Sequence, residues 1–132
     1  MTLYTKCILK SPSPEDGLRI SIMSRHTLSD GKTPDSRINL ESYDKHWKFF
    51  APEPKLIGSY YRNEIGWDNF EERYLKQVRS PQSAGMVKYL AKVALKHDIT
   101  ILCIEEGCEQ CHRRILAEEC QRIIPDLRVR HI

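Results

Sequence analysis

Hydrophobic side chains along this chain recur with two different periods. Alternation of apolar and polar residues, and short runs of β-branched residues, predict strands because successive strand side chains point to opposite faces. The unbroken apolar stretch ITILCI is typical of a strand that is buried on both faces of a parallel sheet. The predicted strands are Leu3–Lys10, Leu18–Ser24, Ile99–Ile104 and Leu127–Ile132.

Apolar residues at helical spacing predict the helical part of the chain. Trp67, Phe70 and Tyr74 lie at such a spacing, and Pro81 follows the end of their segment. The predicted helices are Trp67–Arg79, Ser83–His97 and Glu109–Ile123, with a short helix near Glu41–Phe49. The segment Pro54–Trp67 is expected to be partly helical at most.

The order of these elements indicates an α/β fold. A strand–helix–strand unit closes the chain, and its crossover should be right-handed. We predict one domain over residues 1–132, with a central, mostly parallel sheet of four to five strands and helices on both faces, as three layers. Ligands of such sheets bind at the carboxyl ends of the strands. Arg25 and Glu105 directly follow two predicted strands, so we expect both at that edge.

Composition narrows the class of protein. The chain has 132 residues, of which 30% are charged and 40% hydrophobic, as in an ordinary globular domain. The net charge of +3 suits an anionic ligand but is low for a dedicated nucleic-acid-binding protein. Neither a signal-peptide pattern nor a membrane-spanning run occurs, so we expect a cytoplasmic protein with reduced thiols and no membrane contact. The sequence does not indicate an oligomeric state.

The segment Cys108–His112 is compatible with several chemistries. Its Cys-x-x-Cys-His spacing matches a haem attachment signal, but no export signal accompanies it. A zinc site would need a fourth ligand beside Cys108, Cys111 and His112, which Cys7 or Cys103 could supply, although Cys103 is expected to point into the core. Neighbouring helical residues such as Cys111 and His112 also diverge by about 100°. A redox pair of Cys108 and Cys111 is a further alternative, because the positive end of a helix lowers the pKa of a thiol.

The interpretation that we favour is an anion-binding pocket at the start of the last predicted helix. The first turn of a helix has free backbone N–H groups, here those of Glu109–Cys111, which can hold a phosphate or a carboxylate. Arg25 and Arg113 would neutralise the charge of the anion. The candidate catalytic residues are Cys111, His112 and Glu105, as nucleophile and proton-transfer groups.

The stretch LCIEEGCEQCHRRILA resembles the closing motif of the domain-of-unknown-function family number 488. Members typically have Leu-Leu-Cys-Ala-Glu, a short gap, Pro, two residues, and then Cys-His-Arg and a Leu-Ala pair. The residues in register here are Cys103, Glu105, Cys111, His112, Arg113, Leu116 and Ala117. Cys108 stands where the family often has proline, so the resemblance retains only the second cysteine of the Cys-x-x-Cys pair.

Two further stretches extend the resemblance over roughly Gly17 to Cys120. GLRISIMSR is similar to the family's opening strand, which ends in an arginine, and the segment from Ala51 to Val78 is similar to one branch of the family. The first loop lacks the motif that usually follows that arginine. The resemblance implies an α/β domain of unsettled function. It also implies that one edge of the sheet gathers Arg25, Glu105, Cys111, His112 and Arg113.

We therefore predict a small cytoplasmic protein that binds an anionic ligand, such as a phosphate or nucleotide, at the carboxyl edge of its sheet. Whether it is an enzyme stays open. A nucleic-acid-associated accessory domain is an alternative, because Lys45–Lys48 and Tyr60–Arg62 mix basic and aromatic residues. A thiol redox protein and an interaction module are the others. No cofactor and no metal are expected.

Overall fold

A five-stranded sheet forms the centre of the computed structural model, which describes residues 1–132. The strands are β1 (Thr2–Cys7), β2 (Leu18–Ser21), β3 (Lys45–His46), β4 (Ile99–Cys103) and β5 (Arg128–His131). Their order across the sheet is β3-β2-β4-β1-β5, and every neighbouring pair is parallel. The number of strands and their direction confirm the predicted α/β class.

The α-helices are α1 (Pro54–Tyr61), α2 (Trp67–Val78), α3 (Pro81–Lys96) and α4 (His112–Ile123). Both α1 and α3 begin with proline, which suits a position whose N–H has no partner within the helix. Helices α2 and α3 agree closely with the prediction. Helix α1 has eight residues and fills the first part of the segment 54–67, which agrees with the partial helicity predicted for that segment. Helix α4 begins at His112 rather than at Glu109, and this difference shapes the site described below. No helix is both long and apolar enough to span a bilayer.

The short helix predicted near Glu41–Phe49 is wrong. Lys45–His46 instead forms β3, an edge strand that pairs with β2. A single turn of 3-10 helix follows at Lys48–Phe50, and Phe50 is almost fully buried in the main core. Pairing with the sheet and burial of this aromatic ring therefore outweigh the weak local preference for helix.

The two faces of the sheet differ in chemistry. One face contributes apolar side chains to a core of 19 buried residues that also includes side chains from all four α-helices. The other face carries the buried side chains of Lys6, Arg19 and Thr100, which contact a 3-10 helix at Pro14–Asp16. Both faces are thus covered, one by α-helices and the other by this 3-10 helix and its adjoining loops.

Asp16 is the centre of the polar face. Its carboxylate accepts hydrogen bonds from Lys6 Nζ at 3.0 Å and from Arg19 Nη1 at 2.5 Å. Its main-chain carbonyl accepts one from Thr100 Oγ1 at 2.7 Å. Burial tends to raise the pKa of Asp16, but hydrogen bonds from the Ser13 N–H, Lys6 and Arg19 outweigh this effect and lower that pKa. Asp16 therefore links three strands: its carboxylate joins β1 to β2, and its main-chain carbonyl holds β4.

Replacing Asp16 with asparagine should lower the free energy of unfolding by about 3 kcal/mol, because Lys6 and Arg19 would be left buried without a counter-charge. Since the pKa of Asp16 is lowered, its contribution should be present above about pH 4 and lost as the pH falls further. Urea denaturation measures both effects. The matched change Asp126→Asn, at an exposed residue, should have little effect. Equal midpoints for the two variants would contradict this role of Asp16.

Candidate functional site

A cluster of polar side chains lies at the carboxyl edge of the sheet, between the ends of β2 and β4 and the start of α4. Cys103 is the last residue of β4, and Cys111 immediately precedes α4. The sulfur atoms of these two cysteines and a ring nitrogen of His112 all lie within 4.8 Å of one another, and all three residues are buried. This set of donor atoms is the only group in the chain with the composition and spacing of metal ligands.

The backbone at Cys111 explains how consecutive residues reach one point. Cys111 is the N-cap of α4 and has extended dihedral angles, φ −140° and ψ 141°. The expected divergence of about 100° applies only between two helical residues, and Cys111 is not helical. Its side chain and that of His112 are therefore directed into the same cluster.

Glu105 connects the two thiols. Its Oε2 atom accepts hydrogen bonds from Cys103 Sγ at 3.0 Å and from Cys111 Sγ at 3.2 Å. Its Oε1 atom accepts a longer one from the Tyr61 hydroxyl at 3.4 Å. Burial tends to raise the pKa of Glu105, but the two thiol donors and the nearby His112 more than compensate, so the pKa lies below its usual value. The carboxylate is therefore ionised at neutral pH.

His112 is held in one orientation. Its Nε2 atom lies 2.9 Å from the Ile22 carbonyl oxygen, which can only accept, so Nε2 carries a proton. Its Nδ1 atom lies 3.7 Å from Cys103 Sγ, and its ring packs edge-on against Tyr74 with 5.4 Å between centroids. Burial tends to lower the pKa of His112, but Cys111, the Ile22 carbonyl and Glu105 together raise it.

Arg113 supports the cluster from within the protein. Its side chain is completely buried, and its Nη1 atom donates to the Glu105 carbonyl at 2.8 Å and to Cys111 Sγ at 3.3 Å. Its Nη2 atom lies 3.4 Å from the Glu106 carbonyl, whereas Nε has no partner. The guanidinium thus mainly fixes the main chain that follows β4.

Arg25 lies apart from this arrangement. It is exposed on the polar loop after β2, and its side-chain hydrogen bond goes to the Gly31 carbonyl at 3.0 Å. The structure therefore brings together four of the residues expected at the edge, which are Glu105, Cys111, His112 and Arg113. Arg25 shares no hydrogen bond with them.

The cysteines of the cluster are protonated in this environment. Burial raises the pKa of Cys111 well above its usual value, and Cys103 adds to that shift. Burial also raises the pKa of Cys103. Cys108, by contrast, is partly exposed in the loop and is not among the clustered donors. The sulfur neighbour of Cys111 is consequently Cys103 and not its Cys-x-x-Cys partner.

An open cleft of about 490 Å³ adjoins the cluster. Its lining consists of Tyr60, Tyr61, Glu105, Gly107, Glu109 and Gln110. Glu105 belongs to both the cleft and the buried cluster, so it is the point of contact between them. Two carboxylates and two phenol rings give the cleft an acidic, aromatic surface.

The two segments that mix basic and aromatic residues, Lys45–Lys48 and Tyr60–Arg62, place some of their aromatic rings in the core and others at the surface. Trp47 packs against the main core, and Tyr60 contacts the rings of Trp67 and Phe70. Tyr61 is 60% exposed.

Cys103 and Tyr61 were not among the predicted site residues. Cys103 is hidden in the apolar pattern of β4, and Tyr61 lies on a helix whose sequence indicates helicity only weakly.

The fold and the site together define the class of protein. It is a parallel α/β domain whose carboxyl edge carries a cluster of two thiols, an imidazole and a carboxylate. A family model described as DUF488-N3a, the active DUF488-N3 subclade, matches residues 3–122. The match covers most of the chain, which therefore belongs to this family and confirms the resemblance seen in the sequence. No curated protein and no solved structure matches the chain.

A thiol reagent such as 5,5′-dithiobis-(2-nitrobenzoate) should modify Cys108 in the folded protein first, because the other four cysteines are buried. Their reaction requires local opening, which should make it at least about 100-fold slower. Stopped-flow absorbance follows both phases. Cys108→Ser should remove the fast phase, and the matched variant Cys7→Ser should keep it. A fast phase that survives in Cys108→Ser would show that a buried thiol is more accessible than the structure indicates.

Proposed function

We propose that this protein is an enzyme that binds a small molecule in the cleft beside Tyr61 and transfers a proton through Glu105. The single observation that carries the proposal is the double position of Glu105, which lines the cleft and also contacts the buried cluster. A proton-transfer group must reach the substrate on one side and be held in position on the other. Glu105 meets both requirements.

The surroundings of Glu105 suit this role. Glu105 is half-buried, and its carboxylate is oriented by two thiols and by the Tyr61 hydroxyl. The main chain that carries it is anchored because Arg113 donates to its carbonyl oxygen. Groups that are oriented before the substrate arrives need little reorganisation during reaction. His112 and Cys111 lie behind Glu105 and set its environment, so in this scheme they act through it.

The lining of the cleft favours a flat ligand with hydrogen-bonding groups. Tyr60 and Tyr61 offer ring surfaces, and Gln110 offers an amide beside them. Aromatic side chains of this kind stack on planar heterocycles such as the base of a nucleotide. Five free cysteines also suit a reducing compartment, so a cytoplasmic location belongs to the proposal.

An anionic group on the ligand is a second element of the proposal. In the first turn of α4, the Arg114 N–H donates to the Cys111 carbonyl at 3.2 Å, whereas the N–H groups of His112 and Arg113 make no hydrogen bond, and the N-cap side chain makes none to them. The positive end of the helix dipole lies at the same place. A phosphate or carboxylate would be stabilised there, although Glu105 and Glu109 oppose its approach through the cleft.

A thermal-shift screen of nucleotides, phosphosugars and short single strands identifies the ligand class. For a compound that binds the cleft, Tyr61→Ala should reduce the rise in Tm because the exposed ring is lost. The matched variant Tyr89→Ala, an exposed tyrosine on α3, should keep the full rise. Equal shifts in both variants would place the ligand elsewhere. A shift with single strands that fades steeply with salt would favour the nucleic-acid alternative.

Turnover of a compound found in that screen should fall by about 100- to 10,000-fold in Glu105→Gln, because the amide cannot exchange the proton. Mass spectrometry of the product measures the rate. Glu106→Gln is the matched control, since Glu106 is the exposed neighbour of Glu105. Undiminished turnover in Glu105→Gln would exclude proton transfer by this residue.

Inorganic phosphate tests the anionic element separately. At ten times its Kd, phosphate should stabilise the fold by about 1.4 kcal/mol, seen as a higher Tm. If Arg25 contributes as the sequence suggested, Arg25→Ala should weaken this effect, while Arg37→Ala on the same loop should not. An unchanged Tm with phosphate in the wild-type protein would argue against an anionic ligand.

A further inference from the structure

We propose that Cys103, Cys111 and His112 bind one zinc ion, with a fourth coordination position open beside Glu105. The sequence predicts no metal, in part because Cys111 and His112 would diverge by about 100° as neighbouring residues of a helix. The extended backbone of Cys111 removes that obstacle. The three donor atoms lie within 4.8 Å of one another in a buried location.

The type and spacing of the donors suit zinc. Two thiols and an imidazole form a donor set that zinc accepts readily, with bonds of about 2.3 Å to sulfur and 2.0 Å to nitrogen. Sulfur and nitrogen atoms on a tetrahedral ion of this size lie about 3.5 Å apart. The separation of Cys103 Sγ and His112 Nδ1 is 3.7 Å. A zinc ion would therefore fit between them with only small side-chain movements.

Contacts around the donors resemble those that orient metal ligands. A ligating histidine usually donates its second ring N–H to a carbonyl or carboxylate, which fixes the tautomer. In this chain, His112 donates from Nε2 to the Ile22 carbonyl, so the lone pair of Nδ1 faces Cys103. Arg113 donates to Cys111 Sγ at 3.3 Å, a contact that strengthens when the sulfur becomes a thiolate.

Charge is balanced when the metal binds. Each cysteine thiol loses its proton to solvent as its sulfur bonds to the metal, so binding of one Zn²⁺ releases two protons. The two thiolates then neutralise the charge of the ion. The site gains no net charge inside the protein, which limits the cost of burying it.

Metal binding also changes the role of Glu105. Once the thiols are deprotonated, they no longer donate to its Oε2 atom. The carboxylate is then available to a water molecule in the fourth position, on the side where it lines the cleft. Zinc sites with three protein ligands and an open position bind and activate water. The zinc proposal itself depends only on the three donors and not on catalysis.

The test measures zinc in the full-length protein after reconstitution under reducing conditions and removal of excess metal. Elemental analysis should find a single zinc ion per chain, and a chromophoric chelator gives its Kd. Cys103→Ser should weaken binding by more than the roughly 10- to 100-fold typical of losing an outer contact. Cys108→Ser, the matched change at the thiol outside the cluster, should bind zinc like the wild-type protein.

Cobalt(II) keeps the test decisive if Cys103→Ser does not fold. Wild-type protein loaded with cobalt should show thiolate-to-metal charge transfer and the intense visible bands of tetrahedral coordination. Glu105→Gln should retain zinc even if it has lost turnover, which separates this proposal from the catalytic one. Loss of zinc in Glu105→Gln would overturn the open fourth position.

Three results would overturn the zinc site itself. They are absence of stoichiometric zinc in the reconstituted wild-type protein, cobalt spectra without thiolate bands, and unchanged affinity in folded Cys103→Ser. Peptide mapping without reductant tests the rival explanation that the two close thiols form a disulfide. A Cys103–Cys111 cross-link in a chain that binds no zinc would assign the close thiols to a disulfide instead.

Discussion

The hydrogen bond from the Cys111 N–H to the Cys108 carbonyl, at 3.2 Å, closes a turn immediately before α4. Because this turn delays the helix until His112, the backbone at Cys111 stays extended. Two consecutive residues can then direct a sulfur atom and an imidazole toward the end of β4. The cluster, its contact with the cleft and the proposed metal site all depend on this late start of the helix.

The cluster is held by groups that contribute little to stability on their own. Arg113 is fully buried, and its Nε atom has no hydrogen-bond partner. An unsatisfied buried donor typically costs about 1–3 kcal/mol, and a buried charge without an ionic partner carries a further desolvation cost. Arg113 is therefore better explained by what it positions, namely the Glu105 carbonyl and Cys111 Sγ, than by stabilisation of the fold.

The local pattern of apolar residues was sufficient to predict those strands and helices whose structure depends mainly on their own sequence. The apolar run of β4 and the spacing of α2 and α3 are examples, because burial follows directly from those patterns. The helix predicted near residues 41–49 is wrong because the structure of this segment is decided by pairing with β2 and by burial of Phe50, which are contacts with distant parts of the chain. At the site, motif residues such as Glu105 and His112 stood out by chemical type. Tyr61 did not, since its approach to Glu105 depends on how α1 packs.

The position of β1 has a consequence for synthesis of the chain. Although β1 is made first, it lies between β4 and β5, and Leu3 aligns with Ile99 on one side and with Val129 on the other. At about 5–20 residues per second, a ribosome needs roughly 5–20 s to travel from β1 to β4. Throughout that interval β1 has neither of its neighbouring strands, so its backbone cannot complete its hydrogen bonds within the sheet until most of the chain has been synthesised.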